Sequence, residues 1–589
     1  MLDYSFGPIL TTSGANFRIW APRQDRMRLV LDGGDTLPMQ AVEDGWHALH
    51  VEGVRPGARY GFMLDSGIVV PDPASRFQPD DVHERSELID HGAFQWATRG
   101  WLGRPWTESV IYEAHIGTFT EVGTFLAAIE RLDDLAELGI TVLQLMPVAD
   151  FPGRRGWGYD GVLPYAPEAS YGRPDDLKSL VDAAHSRGIS VMLDVVYNHL
   201  GPDGNYLPNY APFFTDRHKT PWGDGPNFDG DAAAPVRALI VENAIYWIDE
   251  FRIDGLRLDA VHAILDDSDR HILHEIAERV RSHAGARQVH LVVENEQNDA
   301  DLLDRDRTGA PTLYTAQWCD DIHHVLHSAA TGESDGYYAD YSGDPAKFAR
   351  ALAEGFVYQG EVMPHKGKPR GKPSAHLPPT AFISFIQNHD QIGNRLFGDR
   401  LGETLPDERL KALAAIYLLA PQIPMLFMGE EWAASTRFPY FCDFHDALNA
   451  AVRDGRKQEF GHDPSQAGAA EDAPDPTTEA TFRSAKLRWE ERKTAGHVGM
   501  LRDYRHLIAL RQEHVLPLLD DIGSRRAGYL LRGSVISVHW YAGQRTLTLV
   551  VNIGAADAPA PPQGGTCIFP TPAGPPETLS PWSVFWFIE

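Results

Sequence analysis

From about residue 109 onward, short apolar runs alternate with stretches in which apolar residues recur at helical spacing. The apolar runs predict eight strands, at residues 109–118, 141–148, 190–198, 255–260, 289–295, 313–318, 381–388 and 423–429. Helical patterns lie between them, at residues 125–138, 175–187, 236–250, 270–284, 344–355 and 407–420. Gly139 and Gly188 directly follow two of these patterns, and Asp344-Pro345 begins another, as helix stop and start signals do. Eight strands alternating with helices predict an α/β fold, the (β/α)8 TIM barrel of parallel strands.

Both ends of the chain show the period-two alternation of antiparallel strands instead. Residues 16–20 and 26–31 predict an N-terminal β-sandwich over residues 1–92, immunoglobulin-like and similar to carbohydrate-binding modules. Residues 536–541 and 546–552 predict a C-terminal β-sandwich over residues 517–589. The barrel then spans 93–516, with insertions at about 200–233 and 433–497 that follow strand ends. The second insertion contains an Ala-, Pro- and Asp-rich stretch from Gln466, which predicts a mobile loop.

Composition constrains the partners of the chain. Its 589 residues exceed what one hydrophobic core holds, and 53 basic against 82 acidic side chains give a formal charge of −29. That charge argues against nucleic acid and anionic membranes and suits a neutral substrate. We find no signal-like N-terminus and no apolar run near the roughly 20 residues of a membrane span, and therefore expect a cytoplasmic monomer. Cys319, Cys442 and Cys567 form no paired framework, which predicts free thiols.

Acidic residues close three of the predicted strands. Asp259 ends Gly-Leu-Arg-Leu-Asp (255–259), Glu294 follows the apolar run 289–293, and Asp390 ends Phe-Ile-Gln-Asn-His-Asp (385–390). In a TIM barrel the carboxyl ends of the strands carry the functional groups, so these carboxylates are expected to meet. Glycosidic bond cleavage needs one carboxyl group as acid and another as nucleophile or base. The pattern therefore favours chemistry on a neutral, hydroxyl-rich substrate.

Four ordered blocks make a specific resemblance. They are Asp-Val-Val-Tyr-Asn-His (194–199), Gly-Leu-Arg-Leu-Asp-Ala-Val-His (255–262), Glu294 at a strand end, and Asn-His-Asp (388–390). Together they resemble the α-amylase superfamily, glycoside hydrolase family thirteen, over the barrel and both flanking β regions. The resemblance implies that Asp259 is the nucleophile, that Glu294 is the acid and then the base, and that Asp390 holds the distorted sugar. It further implies contacts to the sugar, or support of the site, by Tyr159, Asp194, His199, Arg257, His262 and His389.

The chemistry sets expectations for these carboxyl groups. A retaining mechanism predicts roughly 5–5.5 Å between the two working carboxyl groups. The proton donor must be neutral near the working pH, so Glu294 is expected to have a raised pKa. Glu296 lies two residues further along the predicted strand and should point to the same side, so the acid could be either glutamate. The resemblance favours Glu294.

Further segments resemble the trehalohydrolase branch of this superfamily. They are residues 112–125, 317–338, 387–395 and 426–441, with Cys319 standing where that branch has Asn. The resemblance implies hydrolysis of the α-1,4 bond next to the terminal trehalose of maltooligosyl trehalose, with malto-oligosaccharides as products. Trehalose would then be recognised on the leaving side, for which the candidates are Asp320, Asp321, Glu430, Glu431 and Trp432. A glucan branching enzyme remains the alternative, although that family usually has an acidic residue at the position of Asn295.

No cofactor or metal is expected. Superfamily members that bind calcium use an Asn at the position of Asn198 with ligands from the following loop, but residues 201–206 offer no convincing series of oxygen ligands. A second possible metal cluster is His323, His324 and His327. Their helical spacing after two aspartates instead predicts a capped helix with a solvated histidine face.

Overall fold

In the computed structural model, which describes residues 4–461, 472–570 and 576–589, eight parallel strands close into a barrel. The strands are Ile111–Ala114, Val142–Leu145, Ser190–Val195, Gly255–Leu258, His290–Val293, Ala316–Trp318, Phe382–Ser384 and Ile423–Phe427. Each lies within one of the eight predicted runs, so the predicted barrel is confirmed. Every residue in these strands is buried, because the barrel interior covers one face of the sheet and helices cover the other. Such strands read as continuous apolar runs.

Helices around the barrel form at all six predicted patterns and at the helix expected to carry the three histidines, and Ala495–Leu510 is a helix that was not predicted. They are Phe125–Ile129, Leu132–Leu138, Pro174–Ser186, Ala233–Glu250, Ile272–Ala284, Asp320–Thr331, Pro345–Glu354, Asp407–Leu419 and Ala495–Leu510. The helix predicted at 125–138 is two helices. Asp344 caps its helix by accepting a hydrogen bond from the backbone N–H of Ala346 at 2.9 Å. Gly139 ends another helix at a φ of +99°, which glycine adopts at little cost.

Two antiparallel sheets precede the barrel. One contains Ile9–Leu10, Gly14–Trp20, Trp46–Glu52 and Gln40–Ala41, and the other contains Thr36–Pro38, Arg28–Leu31, Arg59–Met63, Val69–Val70 and Ser86–Glu87. The predicted runs 16–20 and 26–31 are strands of these sheets. Phe17, Ile19, Leu29 and Phe62 are buried between them, as the alternation of the sequence requires.

A five-stranded antiparallel sheet follows the barrel. Its strands are, in spatial order, Ala527–Arg532, Val535–Ala542, Arg545–Asn552, Val584–Ile588 and Thr566–Phe569. Ala558–Pro559 and Thr578–Leu579 form a separate two-stranded sheet. The fully buried Trp586 donates its indole N–H to the carbonyl oxygen of Ala415 at 2.9 Å and so fixes the sheet to a barrel helix. The predicted C-terminal β domain is confirmed.

Both predicted insertions leave the barrel after strand ends. The first holds the short helix Leu207–Tyr210 and a hairpin of Phe214–Thr220 and Gly223–Pro226. The second holds the helices Asp446–Gly461 and Glu479–Ser484. The stretch predicted to be a mobile loop begins at residue 466, and its first part, up to residue 471, lies outside the described residues. Within the described ranges, no helix is both long enough and apolar enough to cross a membrane.

Candidate active site

A cleft of about 1040 Å³ opens at the carboxyl ends of the barrel strands. Its walls come from segments after the second, third, fourth, fifth, seventh and eighth strands. Seven of the predicted site residues line it: Tyr159, His199, Asp259, His262, Glu294, His389 and Asp390. The three carboxylates that close separate strands therefore meet, as the barrel topology requires.

Arg257 joins the acidic groups at the floor of this cleft. Its Nη1 donates to Asp194 Oδ2 at 2.6 Å and to Asp259 Oδ1 at 2.9 Å, and its Nη2 donates to Glu294 Oε2 at 2.8 Å. The guanidinium is fully buried and lies 4.0 Å from the centre of the Trp318 ring. Burial opposes its charge, but the carboxylates of Asp194 and Glu294 outweigh burial and hold the pKa of Arg257 above its ordinary value. One permanent cation therefore orients the carboxylates of Asp194, Asp259 and Glu294.

Backbone and amide donors complete the environment of the two carboxylates. Asn198 Nδ2 donates to Asp259 Oδ2 at 2.8 Å and to the Asp259 carbonyl oxygen at 2.9 Å. The backbone N–H of Ala260 donates to Glu294 Oε2 at 2.8 Å. Ala260 has a φ of +40°, a left-handed conformation that an alanine adopts only under constraint. This turn directs its N–H toward the neighbouring strand end and so holds Glu294.

His389 and Asp390, which follow the seventh strand, form another part of the cleft wall. His389 Nδ1 lies 2.7 Å from Oε1 of the buried Glu113, and its Nε2 lies 3.5 Å from Asp390 Oδ1. Burial lowers the pKa of His389, but the negative charges of Asp390 and Glu113 outweigh it and raise that pKa to about 9. Burial also raises the pKa of Asp390, against the pull of His389. The pair places a cation beside a carboxylate at the edge of the cleft.

Tyr159 is held as a flat surface over the carboxylates. Its hydroxyl donates to Asp194 Oδ2 at 2.8 Å, and its ring lies nearly parallel to His389 with centroids 5.1 Å apart. His199 packs beside it, with Nε2 at 3.0 Å from the Tyr159 carbonyl oxygen and Nδ1 bonded to Asn198 Oδ1. Burial lowers the pKa of His199 to about 4, so its ring is neutral. Because protein oxygens lie against both ring nitrogens, the bond predicted from His199 to a sugar hydroxyl requires one of these contacts to open.

Asp194 and Asp321 lie below the cleft surface. Asp194 is fully buried against Arg257 and Tyr159, which fits the predicted supporting role. Asp321 pairs with Arg370 at 2.7 Å and accepts from Tyr341 and from the backbone of Val357. Both oxygens of Asp321 are bonded inside the protein. Asp321 therefore does not reach the cleft, contrary to the prediction that it contacts the leaving side of the substrate.

Asp320 differs from its neighbour. It begins the helix Asp320–Thr331 and is partly exposed. Burial and the nearby charge of Glu294 raise the pKa of Asp320 to about 7. Asp320 is not among the residues that line the cleft, so its predicted contact with substrate stays a prediction.

Glu430, Glu431 and Trp432, predicted on the leaving side, do not reach the cleft. Tyr417 donates to Glu430 at 2.6 Å, and Tyr112 donates to Glu431 at 3.1 Å. Trp432 is fully buried, with its ring centroid 5.1 Å from that of Trp489. After the eighth strand these side chains turn inward, toward Tyr417 of the helix Asp407–Leu419 and toward Trp489. They therefore pack inside the protein and do not face the cleft.

The two glutamates after the fifth strand point in different directions. The strand ends at Val293, so the alternation expected for Glu294 and Glu296 does not apply. Glu296 is half exposed and pairs with Lys366, whereas Glu294 faces the cleft. The structure thus leaves Glu294 as the glutamate of this segment at the site.

The histidine face predicted to be solvated is buried. His323, His324 and His327 are each at most 8% exposed. His323 contacts the Ile386 carbonyl oxygen and the Tyr338 hydroxyl, and His327 pairs with Glu333 at 2.9 Å. Both ring nitrogens of His323 and Nε2 of His327 have partners there, whereas Nδ1 of His324 and of His327 are buried without one among the described residues. The spacing of the histidines predicted their common face but could not reveal its burial.

Several cleft residues were not singled out from the sequence. They are Arg23, Trp157, Asp160, Trp222, Asp224, Asn394, Tyr440 and Arg456. Trp157 and Asp160 belong to the same short motif as Tyr159, and Tyr440 follows the eighth strand. The motif and the position after a strand could therefore have pointed to these residues from the sequence. Trp222, stacked 4.5 Å from His199, lies in an insertion whose fold the sequence did not specify.

The described residues that could ligate a metal already have protein partners. Asn198, the position that resembles a calcium ligand, uses its amide nitrogen on Asp259, and its oxygen receives His199. Among the described residues, His218, Asp229 and Asp267 are the one group whose ligand atoms converge. Arg217 lies 2.9 Å from Asp267 and 3.6 Å from Asp229, so a cation already occupies this group.

Comparison with known proteins adds a consistent picture. The α-amylase catalytic-domain model matches residues 106–213, and a model for a domain of unknown function matches residues 524–586. A malto-oligosyltrehalose trehalohydrolase of Deinococcus radiodurans is 43% identical over 93% of this chain and 89% of its own. One from Saccharolobus solfataricus is 40% identical over 90% of each chain. A branching enzyme of Pseudoalteromonas atlantica is 31% identical over only 45% of this chain and 40% of its own.

Solved structures agree with this fold. A Salmonella typhimurium protein, whose assignment as an alpha amylase is provisional, has a TM-score of 0.96 and 46% identity, with both chains covered in full. A Paenibacillus barengoltzii pullulanase in complex with maltotetraose has a TM-score of 0.72 at 20% identity, covering 100% of this chain and 95% of its own. At that identity the second likeness concerns the fold alone.

Proposed function

The chain belongs to the malto-oligosyltrehalose trehalohydrolase family of α-amylase-type glycoside hydrolases, and from this premise we propose how its own residues cleave maltooligosyl trehalose. The bond broken is the α-1,4 bond next to the terminal trehalose, and the products are trehalose and a shorter malto-oligosaccharide. The observation that carries the proposal is the placement of Asp259 and Glu294 on the two ends of one guanidinium at the floor of the cleft.

In the first step Glu294 protonates the glycosidic oxygen while Asp259 attacks the anomeric carbon. The bond to trehalose breaks, and a covalent glycosyl ester of Asp259 forms. The hydrogen bonds from Arg257 and from the backbone of Ala260 both go to Oε2 of Glu294. We therefore assign Oε1 as the oxygen that carries the catalytic proton. In the second step Glu294 takes a proton from water, which displaces Asp259. Two inversions at the same carbon leave the product in the α configuration.

Arg257 matters because the nucleophile must stay ionised inside a partly closed site. Its contact with Asp259 places a permanent positive charge 2.9 Å from one carboxylate oxygen. A guanidinium stays charged at any working pH and binds carboxylates with fixed geometry. The same group holds Glu294, which keeps the acid and the nucleophile in a constant relative position. Arg257 therefore contributes to the rate of cleavage by orienting both carboxylates as well as by its charge.

His389 and Asp390 are assigned to the sugar at the cleaved position. With its pKa raised to about 9, His389 is an imidazolium at neutral pH and can donate from Nε2 to a hydroxyl. Asp390 accepts from hydroxyls and places negative charge near the cationic transition state. Tyr159 lies parallel to His389 and offers its ring as the stacking surface.

Preference for a trehalose end must arise on the leaving side, since the glucan on the other side is the same in capped and plain substrates. The α,α-1,1 linkage turns the last glucose away from the path of a linear chain. A site shaped for that turn leaves hydroxyls of a linear chain unmatched, and unmatched buried polar groups can cost several orders of magnitude in kcat/KM.

We also infer the wider setting of the enzyme. The boundaries proposed are 1–92 for the N-terminal domain, 93–516 for the barrel and 517–589 for the C-terminal domain. Three unpaired cysteines favour a reducing compartment such as the cytoplasm. A monomer remains the proposed oligomeric state.

The deciding experiment follows the products of maltooligosyl trehalose and plain malto-oligosaccharide by rapid NMR. We expect much faster cleavage of the capped substrate, release of trehalose, and a malto-oligosaccharide formed first as the α anomer. Equal rates on both substrates would remove the specificity proposal, and a β product would remove the retaining mechanism. Transfer to a second glucan, with new α-1,6 branches, would identify a branching enzyme instead.

A further inference from the structure

Arg23, a residue of the N-terminal β region, lines the same cleft as the catalytic carboxylates. It lies in the turn between the strands Gly14–Trp20 and Arg28–Leu31, far in sequence from the barrel. The neighbouring wall consists of residues of the first insertion and its hairpin, namely Asn205, Pro208, Ala211, Phe214, Trp222 and Asp224. The N-terminal region therefore forms part of the substrate cleft itself.

The turn that carries Arg23 is fixed against the insertion by hydrogen bonds. The backbone N–H of Arg23 donates to the Tyr210 carbonyl oxygen at 3.1 Å, and Arg23 Nη1 donates to the Pro208 carbonyl oxygen at 2.7 Å. Gln24 Nε2 donates to the Asn209 carbonyl oxygen at 3.1 Å. These bonds tie the turn to the insertion at the cleft wall, while the Arg23 side chain itself stays exposed.

A second set of contacts fixes the insertion to the N-terminal region. His83 lies 3.1 Å from Asp203 and 2.8 Å from the Tyr206 hydroxyl. A Cβ at Gly204 would lie 2.4 Å from Val82, so the two segments approach as closely as a glycine allows. The wall is built jointly by the two parts of the chain.

The position of this wall relative to the chemistry points to the leaving side. The cleaved sugar lies between Tyr159, His389 and Asp390, and the acid must stand beside the departing oxygen. Glu294 is held by the turn at Ala260, after the fourth strand. The hairpin of the insertion is tied to the segment after that same strand, because Arg217 Nη2 donates to Asp267 at 2.9 Å. Asn394, Tyr440 and Arg456 lie in the segments that follow the seventh and eighth strands, which stand across the closed barrel from the third and fourth.

We propose that Arg23 is a substrate-binding residue that donates hydrogen bonds to hydroxyls of the leaving trehalose unit. This rests on the proposed function and names a residue through which the N-terminal domain contributes to substrate choice. A guanidinium has five N–H donors, and one of them is used on Pro208. The remaining donors suit a disaccharide whose exposed groups are hydroxyl acceptors. The carboxylates Asp160, Asp224, Asp259, Glu294 and Asp390 line the same cleft and suit hydroxyl donors, so the two sets of groups complement a non-ionic sugar.

The test compares Arg23→Ala with Arg26→Ala in the full-length enzyme. Arg26 lies in the same turn, but its side chain is 88% exposed and lies 3.8 Å from Asp65, so it is a matched control. For Arg23→Ala we expect KM for maltooligosyl trehalose to rise by about tenfold, with kcat changed less than about twofold, as for loss of one or two bonds from a charged donor. Arg23→Lys should fall between Arg23→Ala and the unmutated enzyme, since it keeps the charge and loses the fork.

Product inhibition separates binding from a merely structural role. Trehalose occupies only the leaving side, and a malto-oligosaccharide occupies the glucan side. We expect Arg23→Ala to raise the inhibition constant of trehalose by about tenfold and to leave that of maltotetraose within about twofold. If both constants change equally, or if Arg23→Ala behaves like Arg26→Ala, the inference is wrong. If the unmutated enzyme does not cleave maltooligosyl trehalose, the proposed function fails first, and the two failures are distinguishable.

Discussion

At the level of single residues, the site depends on one cation serving several carboxylates. Asp194, Asp259 and Glu294 all bond to Arg257, whose side chain is fully buried. Removing one partner from such a group leaves buried charge uncompensated, which typically costs about 3–5 kcal/mol. Substitutions that keep shape and change only protonation are therefore the informative ones here.

Replacement of Glu294 by Gln tests the acid. The amide keeps the contacts to Arg257 and Ala260 approximately in place but cannot protonate the glycosidic oxygen, so we expect kcat to fall by at least about 100-fold. Substrate binding should change little. Glu296→Gln is the control, since that side chain is half exposed and pairs with Lys366, and its activity should stay near that of the unmutated enzyme. A large loss in Glu296→Gln with near-normal turnover in Glu294→Gln would reassign the acid.

Asp259 can be identified chemically as the nucleophile. A fluorinated glycosyl donor slows the second step, so the ester should accumulate on Asp259 and appear as a mass increase of the peptide that contains it. Asp259→Asn should show no labelling and no turnover, because an amide is a poor nucleophile. Labelling of a peptide without Asp259 in the unmutated enzyme contradicts the assignment.

His389 should make stability depend on pH in a defined direction. Its pKa is raised from about 6.5 to about 9 in the folded protein, because Asp390 and Glu113 outweigh burial. The extra stability is present in full below about pH 6.5 and is lost as pH rises through 9. The difference in Tm between the unmutated protein and His389→Gln should therefore be largest near pH 6 and shrink by pH 9.5. A difference that stays constant over this range would mean that His389 is neutral in the fold.

At the level of elements, the segment after each barrel strand decides whether a side chain reaches substrate. After the fourth strand the backbone turns at Ala260 and keeps Asp259 at the cleft. After the eighth strand, Gly429 has a φ of +84° and the following residues pack inward against Leu487 and Trp489. Similar strand-end positions therefore lead to different roles.

Glu431→Gln tests the structural role of that eighth segment. Burial, reinforced by Glu430, raises the pKa of Glu431 from 4.5 to about 8. An acid with a raised pKa contributes most stability below about pH 4.5, and this contribution falls as pH rises through 8. Gln is neutral throughout, so the Tm of Glu431→Gln should improve relative to the unmutated protein between pH 5 and 8. KM for capped substrate should be unchanged, whereas a large rise in KM would restore Glu431 to the leaving side.

At the level of the whole molecule, Arg23 of the N-terminal β region and residues that follow the barrel strands line one cleft, and the C-terminal sheet is bonded to a barrel helix. Trp586 bonds to the barrel helix Asp407–Leu419 through Ala415, whereas Arg23 reaches the cleft. The two β domains thus have different relations to the chemistry although both are antiparallel sheets.

Activity of the intact enzyme should not require calcium. The amide of Asn198 is engaged by Asp259 and His199, so the position that would ligate a metal already has protein partners. We expect excess chelator to change kcat/KM by less than about twofold, with a calcium-saturated chelator as the control. Loss of activity that added calcium restores would show that a metal site exists and that these contacts rearrange to form it.

The sequence by itself determined the barrel and the strand ends at which its acidic residues meet. Strand periodicity, helix signals and strand-end residues are local features of the sequence. In a parallel barrel the carboxyl ends of all strands lie at the same face, so residues at those ends come together. Asp259, Glu294 and Asp390 could therefore be expected to meet although they are spread over more than a hundred residues of chain.

Only the tertiary structure decided the rest of the cleft. Burial of Glu430, Glu431, Trp432 and the histidines of the helix Asp320–Thr331 depends on partners from distant segments, which spacing along one element cannot specify. The docking of Arg23 on the first insertion is likewise a contact between residues 185 positions apart. Local patterns fix which elements form, but packing between elements determines which polar side chains find protein partners and which remain to meet substrate.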